Sequence, residues 1–408
     1  MANTFNLGNG NWAQKTEKLL AYNAENDNYK PLPFDFDRAS TATRVNKNGL
    51  IETVGIDEPR IDFLNNTKGH LLLEPQRTNI FDYSSDLSAW SKLNSTVSES
   101  SVLSLDGVNN SYGYERTSSS TSYIYRTVSL ANTTQYTLSF FVKSGTSTNV
   151  RTDIWDTTQS VQCQIQVDLE TKAISNFVGT SYKIEDYTNG WIRISVTFTS
   201  ESSLGTTFNR YFNADSVGSE LYIWGAQTEA GSYATSYIPT SGSAVTRSAE
   251  TCYQDNLLTD IINASYPFTM YAEAKAVIDD SQHFLTFSNR SLSNTYFTLV
   301  LNSDGTVKLD ARVNGISEFL NSSATAITNG DFFKTAITME SATSGKICVN
   351  GVLDSKTNFT QQAINTNIND LLVGMLRTVS DTGRRIPIKD VKLYNTTLTD
   401  AELIALTS

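Results

Sequence analysis

Residues 162–169 read QCQIQVDL, and apolar and polar side chains alternate along this stretch without a break. Cys163, Ile165, Val167 and Leu169 fall on one side of an extended chain, because successive side chains of a β-strand point to opposite faces. One apolar face and one polar face are typical of an antiparallel sheet that covers a core on one side. The stretch therefore predicts a strand of a β-sandwich.

The same alternation recurs on both sides of this strand. It is found at Tyr136, Leu138, Phe140 and Val142, and again at Ile192, Ile194, Val196 and Phe198. Several one-sided strands within about 170 residues predict an antiparallel sandwich of the jelly-roll type.

Turn and cap residues divide the C-terminal part of the chain into further strands. Asp304-Gly305 and Asn350-Gly351 each separate two apolar runs, which predicts hairpins because glycine accepts positive φ at little cost. Thr399 and Glu402 are spaced as a capping box and predict one short helix near residue 400. A second antiparallel sandwich closed by a helix is expected here.

The N-terminal part has a weaker pattern. Residues 1–34 predict a peripheral arm with a short helix around Gln14–Asn23, and the short runs of 34–79, with Asn48-Gly49 between two of them, predict a small β-meander. The expected fold class is all-β: an N-terminal arm and small β-meander followed by two antiparallel β-sandwiches. The predicted domains are 1–79, 80–249 and 250–408.

Composition narrows the function. The formal net charge of −11 disfavours a nucleic-acid partner. No apolar run approaches the ~18 residues of a membrane helix, and the first residues lack a signal-peptide pattern, so we expect synthesis in the cytoplasm and no membrane insertion. The cysteines, Cys163, Cys252 and Cys348, are widely spaced and are interpreted as structural thiols.

Several long segments resemble known families. FDFDRASTATRVNKNGLIETV (34–54) and PRIDFLNNTKGHLLLEPQRTN (59–79) resemble a leader of bacteriophage fibre, spike and tail-adhesin proteins. YTLSFFVKSGT (136–146), GWIRISVTFTS (190–200) and the string from Glu220 to Glu250 resemble the phage head spike fibre domain, which is similar to jelly-roll carbohydrate-binding modules. VNGVLD (349–354) and IKDVKLYNTTLTDAELIAL (388–406) resemble a concanavalin A-like or laminin G-like sandwich.

The resemblance implies a virion structural protein, a head or tail fibre or spike. It implies a homo-oligomer, expected to be a trimer, whose N-terminal region attaches to a capsid or tail protein. The two sandwiches would then display lectin-like surfaces for adhesion to glycans of the host cell. On this interpretation the protein is located on the surface of the particle.

Catalytic patterns are weak. Acids of the third domain stand singly at Glu273, Asp310, Glu318 and Glu340, without the paired spacing that glycoside hydrolases use. We therefore predict that the chain is not an enzyme. Two alternatives stay open: a polysaccharide depolymerase spike whose acids meet only in the fold, and a prophage-encoded adhesin. No cofactor is predicted, although Asp279-Asp280 and Asp304 leave a calcium site possible.

Candidate site residues form two groups. Trp155, flanked by Asp153 and Asp156, is the candidate for carbohydrate binding, because a ring stacks on a sugar while carboxylates accept its hydroxyl hydrogens; packing inside the protein is the alternative role. The candidates for attachment or assembly come from the leader segments, and ion pairing within a domain is their alternative role. They are Arg44, Arg60, Glu74, Arg77 and Asn79.

Overall fold

The computed structural model describes residues 5–15, 18–22, 33–158, 160–213, 215–257, 266–278, 281–289, 292–313, 315–359, 368–375 and 386–408. The strands of the first half are β1 (Phe5–Gly8), β2 (Ala13–Lys15), β3 (Lys18–Leu20), β4 (Pro33–Asp37), β5 (Ala42–Val45), β6 (Ile51–Val54), β7 (Ile61–Asp62), β8 (His70–Leu71), β9 (Arg77–Asn79), β10 (Ser91–Leu93), β11 (Ser95–Leu103), β12 (Asn110–Arg116), β13 (Tyr123–Val128), β14 (Gln135–Ser144), β15 (Asn149–Asp156), β16 (Val161–Asp168), β17 (Ile174–Val178), β18 (Ser181–Asp186) and β19 (Trp191–Thr199).

The remaining strands are β20 (Thr207–Asn213), β21 (Glu220–Ala230), β22 (Val245–Arg247), β23 (Thr251–Gln254), β24 (Phe268–Lys275), β25 (Gln282–Asn289), β26 (Leu292–Leu301), β27 (Val307–Val313), β28 (Ile316–Asn321), β29 (Phe332–Ser341), β30 (Ser344–Val349), β31 (Val352–Lys356), β32 (Asp370–Val373) and β33 (Ile388–Tyr394). Short 3-10 helices span Leu87–Ala89 and Thr188–Gly190, and the α-helix α1 spans Asp400–Thr407.

The chain divides into two compact units. Unit 1 consists of Met1–Thr41, Val54–Gln76 and Ser248–Ser408, and unit 2 consists of Ala42–Thr53 and Arg77–Arg247. Each unit has its own buried apolar cluster. The prediction of an all-β chain with two antiparallel sandwiches is confirmed.

Unit 1 is a sandwich of antiparallel sheets. One sheet has the order β31-β30-β29-β24-β33-β8-β7, with β1 also paired to β33, and the other has the order β2-β3-β4-β23-β32-β25-β26-β27-β28. Alternate residues of both sheets, such as Met270 and Ala272 on β24 and Phe297 and Leu299 on β26, are buried in one cluster. The outward positions are therefore available for polar groups and for α1.

The N-terminal segment is part of unit 1, which differs from the predicted peripheral arm and separate domain 1–79. Phe5 pairs with Leu393 and Phe36 pairs with Cys252, and the rings of Phe5 and Phe34 are fully buried. The predicted helix around Gln14–Asn23 is wrong within the described residues, because β2 and β3 pair there as a hairpin. Strand pairing with residues hundreds of positions away leaves no local sign in the sequence.

Unit 2 is a jelly-roll sandwich of antiparallel sheets. One sheet has the order β10-β13-β20-β15-β16-β17 and the other has the order β11-β12-β21-β14-β19-β18. The residues whose alternation predicted β14, β16 and β19 are buried in its core, apart from Leu169, which is partly buried against it. The hairpin β5–β6, with Gly49 at φ 78°, belongs to this unit.

Predicted turns and caps are confirmed in both units. Asn350 and Gly351 have φ values of 47° and 82° between β30 and β31, and Gly305 has a φ of 81° between β26 and β27. Thr399 and Glu402 form the capping box at the start of α1. No helix among the described residues has the length and apolar character that a membrane span requires.

Candidate functional site

One surface of unit 2 carries most of the candidate chemistry. On β13, β15, β16 and β20, alternate side chains such as Ile124, Ile154, Ile165 and Tyr211 point into the core, so the residues between them point away from it. We call this outward surface the aromatic face. It consists of Tyr123, Tyr125, Arg151, Asp153, Trp155, Gln164, Gln166, Phe208, Arg210 and Phe212.

A row of rings crosses three neighbouring strands of the aromatic face. Trp155 on β15 stacks on Phe208 of β20, with ring centroids 6.2 Å apart and an interplanar angle of 23°. Phe208 contacts Tyr125 of β13 edge to face at 5.6 Å, and Tyr123 contacts Phe212 at 5.2 Å. These rings pack against one another and, apart from buried Phe212, stay half-buried. They form an ordered apolar surface on the outside of the sandwich.

Arg210 and Asp153 lie at the centre of the aromatic face. Asp153 is fully buried and accepts hydrogen bonds from Nε and Nη2 of Arg210 at 2.7 and 2.9 Å. The Arg210 guanidinium lies 5.0 Å from the Trp155 ring centroid and 5.3 Å from that of Tyr123. This forked ion pair fixes both side chains, and cation–π contacts fix the adjacent rings.

Arg151 completes the charged group beside this pair. Its Nη2 donates to Asp153 at 3.2 Å, and its guanidinium lies 3.9 Å from the Phe212 ring centroid. Its side chain keeps 33% of its surface exposed. The amides of Gln164 and Gln166 stand next to Asp153 and Arg151 across the strand pair. The aromatic face therefore offers rings, a guanidinium and amides on one rigid sheet.

The structure separates the predicted carbohydrate-binding residues. It places Trp155 and Asp153 together on the aromatic face, whereas Asp156 is on the opposite side of β15 and is fully buried. The Asp156 carboxylate accepts hydrogen bonds from the backbone N–H groups of Thr158 and Gly205, both at 2.7 Å. Burial alone raises the pKa of Asp156, but these hydrogen bonds outweigh it and lower that pKa. Asp156 therefore joins the two loops that contain Thr158 and Gly205.

Sequence reasoning missed most of the aromatic face. Tyr123, Tyr125, Phe208, Arg210 and Phe212 come from strands far from Trp155 along the chain, and only the register of β13, β20 and β15 brings them together. A signal was present, since aromatic residues and arginine occupy alternate positions in the stretches 123–125 and 208–212. That spacing places them on one face.

The predicted assembly residues Arg60 and Glu74 are inside unit 1. Glu250 is fully buried and accepts hydrogen bonds from Nη1 of Arg38 at 2.9 Å and from Nε of Arg60 at 2.6 Å, while Nη2 of Arg60 donates to Glu74 at 2.9 Å. Burial alone lowers the pKa of Arg60, but Glu250 and Glu74 outweigh it and raise that pKa. The contacts seen here join segments of one unit, as in the alternative role.

The other predicted assembly residues belong to unit 2. Asn79 is fully buried and donates to the backbone carbonyls of Ala226 and Ile238 at 3.1 and 2.9 Å. Arg77 approaches Glu229 at 3.9 Å, and Arg44 pairs with Glu52 at 2.8 Å within the β5–β6 hairpin. A role of this group in attachment stays a prediction, and Arg44 and Arg77 keep part of their surface exposed.

The fold brings together two carboxylates that the sequence shows far apart. Glu273 on β24 is directly opposite Asp390 on β33, on the outer side of their sheet. Lys389 pairs with Glu273 at 2.5 Å and Lys392 with Asp390 at 2.6 Å. Burial raises the pKa of Asp390, although Lys392 opposes the shift. Each carboxylate is thus neutralised by its own lysine.

Calcium ligands are not assembled in the part of the chain that the structure describes, where no three His, Cys, Asp or Glu side chains converge as a metal site. The Asp304 carboxylate accepts hydrogen bonds from the backbone and the hydroxyl of Thr306 and so shapes its own turn. Asp279 and Asp280, the other predicted calcium candidates, lie outside the described residues.

Comparison with known proteins agrees with the architecture. Residues 251–404 match the model of the concanavalin A-like lectin/glucanases superfamily, so this part of unit 1 is a concanavalin A-like domain. No curated protein sequence matches the chain.

Among solved structures, the chain is similar to the Ruminococcus gnavus IT-sialidase CBM40, with 19% identity, 35% of this chain and 83% of that chain covered, and a TM-score of 0.31. It is also similar to the NanB sialidase from Streptococcus pneumoniae, with 18% identity, 38% of this chain and 26% of that chain covered, and a TM-score of 0.32. A third similar structure is domain 4 of AbnA, a GH43 extracellular arabinanase from Geobacillus stearothermophilus, in complex with arabinotriose. The identity is 17%, 39% of this chain and 73% of that chain are covered, and the TM-score is 0.32. Each of these likenesses spans little more than a third of the chain.

Proposed function

We propose that the chain is a non-catalytic glycan-binding protein of a bacteriophage fibre or spike, and that the aromatic face of unit 2 binds the glycan. The observation that carries the binding part is the arrangement of Trp155, Phe208, Arg210 and Asp153 on one outward sheet surface. The phage setting is supported by the resemblance of the leader and spike segments to phage proteins.

The aromatic face suits a saccharide for a physical reason. The C–H face of a sugar packs on an aromatic ring, and its hydroxyl groups need donors and acceptors close to that ring. Trp155 provides the ring, while Gln164 and Arg210 provide polar groups on adjacent strands. The stacking and ion pairing within the face already hold these side chains in place, so binding loses little rotamer freedom.

In the particle setting, the N-terminal region and the sandwiches have separate tasks. The N-terminal region attaches to a capsid or tail protein, the chain assembles as a homo-trimer, and the sandwiches are displayed to glycans of the host surface. Purified protein should then be trimeric and should remain on washed virions. Monomeric protein that is missing from washed particles would contradict this setting and would favour a prophage-encoded adhesin.

Two variants, one on each sheet of unit 2, test the proposal that the aromatic face binds a glycan. Trp155→Ala should weaken binding to purified host capsule or lipopolysaccharide by about 5- to 150-fold, because stacked aromatic contacts are worth about 1–3 kcal/mol each. Tyr182→Ala is the matched control, since Tyr182 is 51% exposed on β18 of the other sheet. Equal binding by wild type and both variants in surface plasmon resonance would refute the proposal.

A depolymerase spike is the second candidate, and the opposed pair Glu273 and Asp390 is the observation that favours it. Incubation of the protein with host polysaccharide, followed by an assay for new reducing ends, separates the two functions. Binding without new reducing ends is expected. Reducing ends that disappear in Glu273→Gln would show that the chain is an enzyme.

A further inference from the structure

The charges on the aromatic face do not balance. Asp153 is the one carboxylate among the ten residues of the face, whereas Arg151 and Arg210 both carry a positive charge. Asp168, at the next outward position of β16, accepts hydrogen bonds from the backbone N–H groups of Glu170 and Thr171 in the turn that follows. The rest of the face consists of rings and amides. The protein as a whole has a formal charge of −11. The aromatic face is therefore a local positive site on an acidic protein, and its field favours an anionic group.

Arg151 is the arginine whose charge Asp153 does not fully balance. Both oxygens of Asp153 accept hydrogen bonds from Arg210, at 2.7 and 2.9 Å, whereas Arg151 reaches Asp153 through a single nitrogen at 3.2 Å. Nε of Arg151 is buried and has no hydrogen-bond partner among the described residues, so any donor offered to a ligand is on Nη1 or Nη2. A guanidinium offers five N–H donors. Most of the donor capacity of Arg151 is therefore unused within the chain.

Arg151 is also held in position for a ligand. Its guanidinium is stacked on Phe212 at 3.9 Å, which restricts the plane of its donor fork. A third of the side-chain surface remains exposed. Planar carboxylates match such a fork with two parallel hydrogen bonds. A fixed, partly exposed guanidinium beside aromatic rings suits a sugar that carries a carboxylate.

Spacing along β15 fits neighbouring units of one glycan. Arg151 and Trp155 point to the same side and are four residues apart, which corresponds to about 13 Å between their Cα atoms. The Arg151 guanidinium reaches Asp153, two residues closer to Trp155, so the distance between the charged group and the ring is shorter. A carboxylate and a sugar ring on adjacent units can span it.

We infer that the aromatic face binds an acidic oligosaccharide, with a carboxylate of the glycan on Arg151 and a neighbouring sugar ring on Trp155. This inference rests on the proposed glycan-binding function and names the substrate class of the same site. It makes two demands that glycan binding alone does not: the ligand must carry a negative charge, and Arg151 must detect that charge.

The test uses a panel of immobilised bacterial capsular polysaccharides, some neutral and some containing uronic acid, together with the carboxyl-reduced form of each acidic member. Wild type should bind acidic members, and carboxyl reduction should weaken binding by about 10- to 100-fold, the value of one charge-assisted hydrogen-bonded contact. Arg151→Gln should lose the same factor on the acidic form and nothing further on the reduced form.

Arg126→Gln is the matched control. Arg126 is on β13 of the same sheet, pairs with Asp82 and lies 5.1 Å from the Tyr83 ring centroid, but it belongs to the opposite side of its strand. The Arg126→Gln variant should bind every polysaccharide of the panel as tightly as wild type does. Calorimetric unfolding of each variant checks that the fold is intact.

The outcomes separate the two claims. If wild type binds neutral and carboxyl-reduced members as tightly as acidic ones, and Trp155→Ala abolishes that binding, the acidic specificity is wrong and the proposed function stands. If Arg151→Gln still distinguishes acidic from reduced glycans as wild type does, Arg151 is not the group that binds the carboxylate. If wild type binds no member of the panel, both claims fail.

Discussion

Replacing Glu250 with alanine removes the carboxylate that joins Arg38 and Arg60 inside unit 1. Arg38, Arg60 and Glu250 have at most 1% of their surface exposed, and the backbone N–H of Glu74 also donates to Glu250 at 2.9 Å. In the variant, Arg60 keeps its contact with the Glu74 carboxylate, whereas Arg38 keeps hydrogen bonds to the backbone carbonyls of Ser40 and Glu58 but loses the carboxylate that balances its charge. Removing one partner of a buried ion pair costs about 3–5 kcal/mol, because the other charge stays desolvated.

Differential scanning calorimetry measures this loss. For a domain of about 150–250 residues, 1 kcal/mol corresponds to about 2–4 °C in Tm, so Glu250→Ala should lower the transition of unit 1 by roughly 6–20 °C. Glu340→Ala is the control in the same unit, since Glu340 forms an exposed pair with Lys346 and exposed pairs contribute about 0–1 kcal/mol. Shifts of equal size in the two variants would refute this account of the cluster.

Three further predictions concern unit 1. Phe34→Ala should cost about 3–5 kcal/mol in the free energy of unfolding, because the ring is fully buried; a loss below about 1 kcal/mol would mean that the N-terminal segment is peripheral after all. Burial, and then Lys275, lower the pKa of His70 to about 3. The stability due to neutral His70 is thus present above the unfolded-state pKa near 6.5 and is lost as pH falls toward 3. In urea unfolding between pH 6 and 4, the stability of His70→Gln should therefore decline less steeply than that of wild type, by up to about 1.4 kcal/mol per pH unit. Parallel profiles of stability against pH in the two proteins would contradict this. Thr399→Ala should cost about 1 kcal/mol by loss of the helix cap, and unchanged stability in calorimetry would count against the capping box.

Local patterns predicted local structure well. The alternation at Cys163, Ile165 and Val167 predicted a strand and its buried side, because the two-residue period of a strand is present in the sequence itself. Asn350-Gly351 predicted a hairpin because its positive φ values favour these residues. Both features depend on neighbours along the chain.

Contacts between residues far apart in the sequence could not be predicted. Phe5 beside Leu393, and Arg38 and Arg60 beside Glu250, join residues that no local pattern connects. The aromatic face depends in the same way on the register between β15 and β20, so Trp155 and Asp153 were found while Arg210 was missed. Asp156 was grouped with them, although successive side chains of a strand point to opposite faces and Asp156 directly follows Trp155 on β15.

The central claim is that the aromatic face of unit 2 binds a glycan, and the nitrogen-15 spectrum of the tryptophan indoles tests it most directly. The chain has five tryptophans. They are Trp12, Trp90, Trp155, Trp191 and Trp224. Trp155→Phe assigns the signal of Trp155 by its disappearance. On titration with host polysaccharide fragments, the Trp155 signal should move in proportion to bound ligand while those of buried Trp90 and Trp191 stay in place. A titration that shifts Trp12 of unit 1 and leaves Trp155 unchanged would contradict the claim.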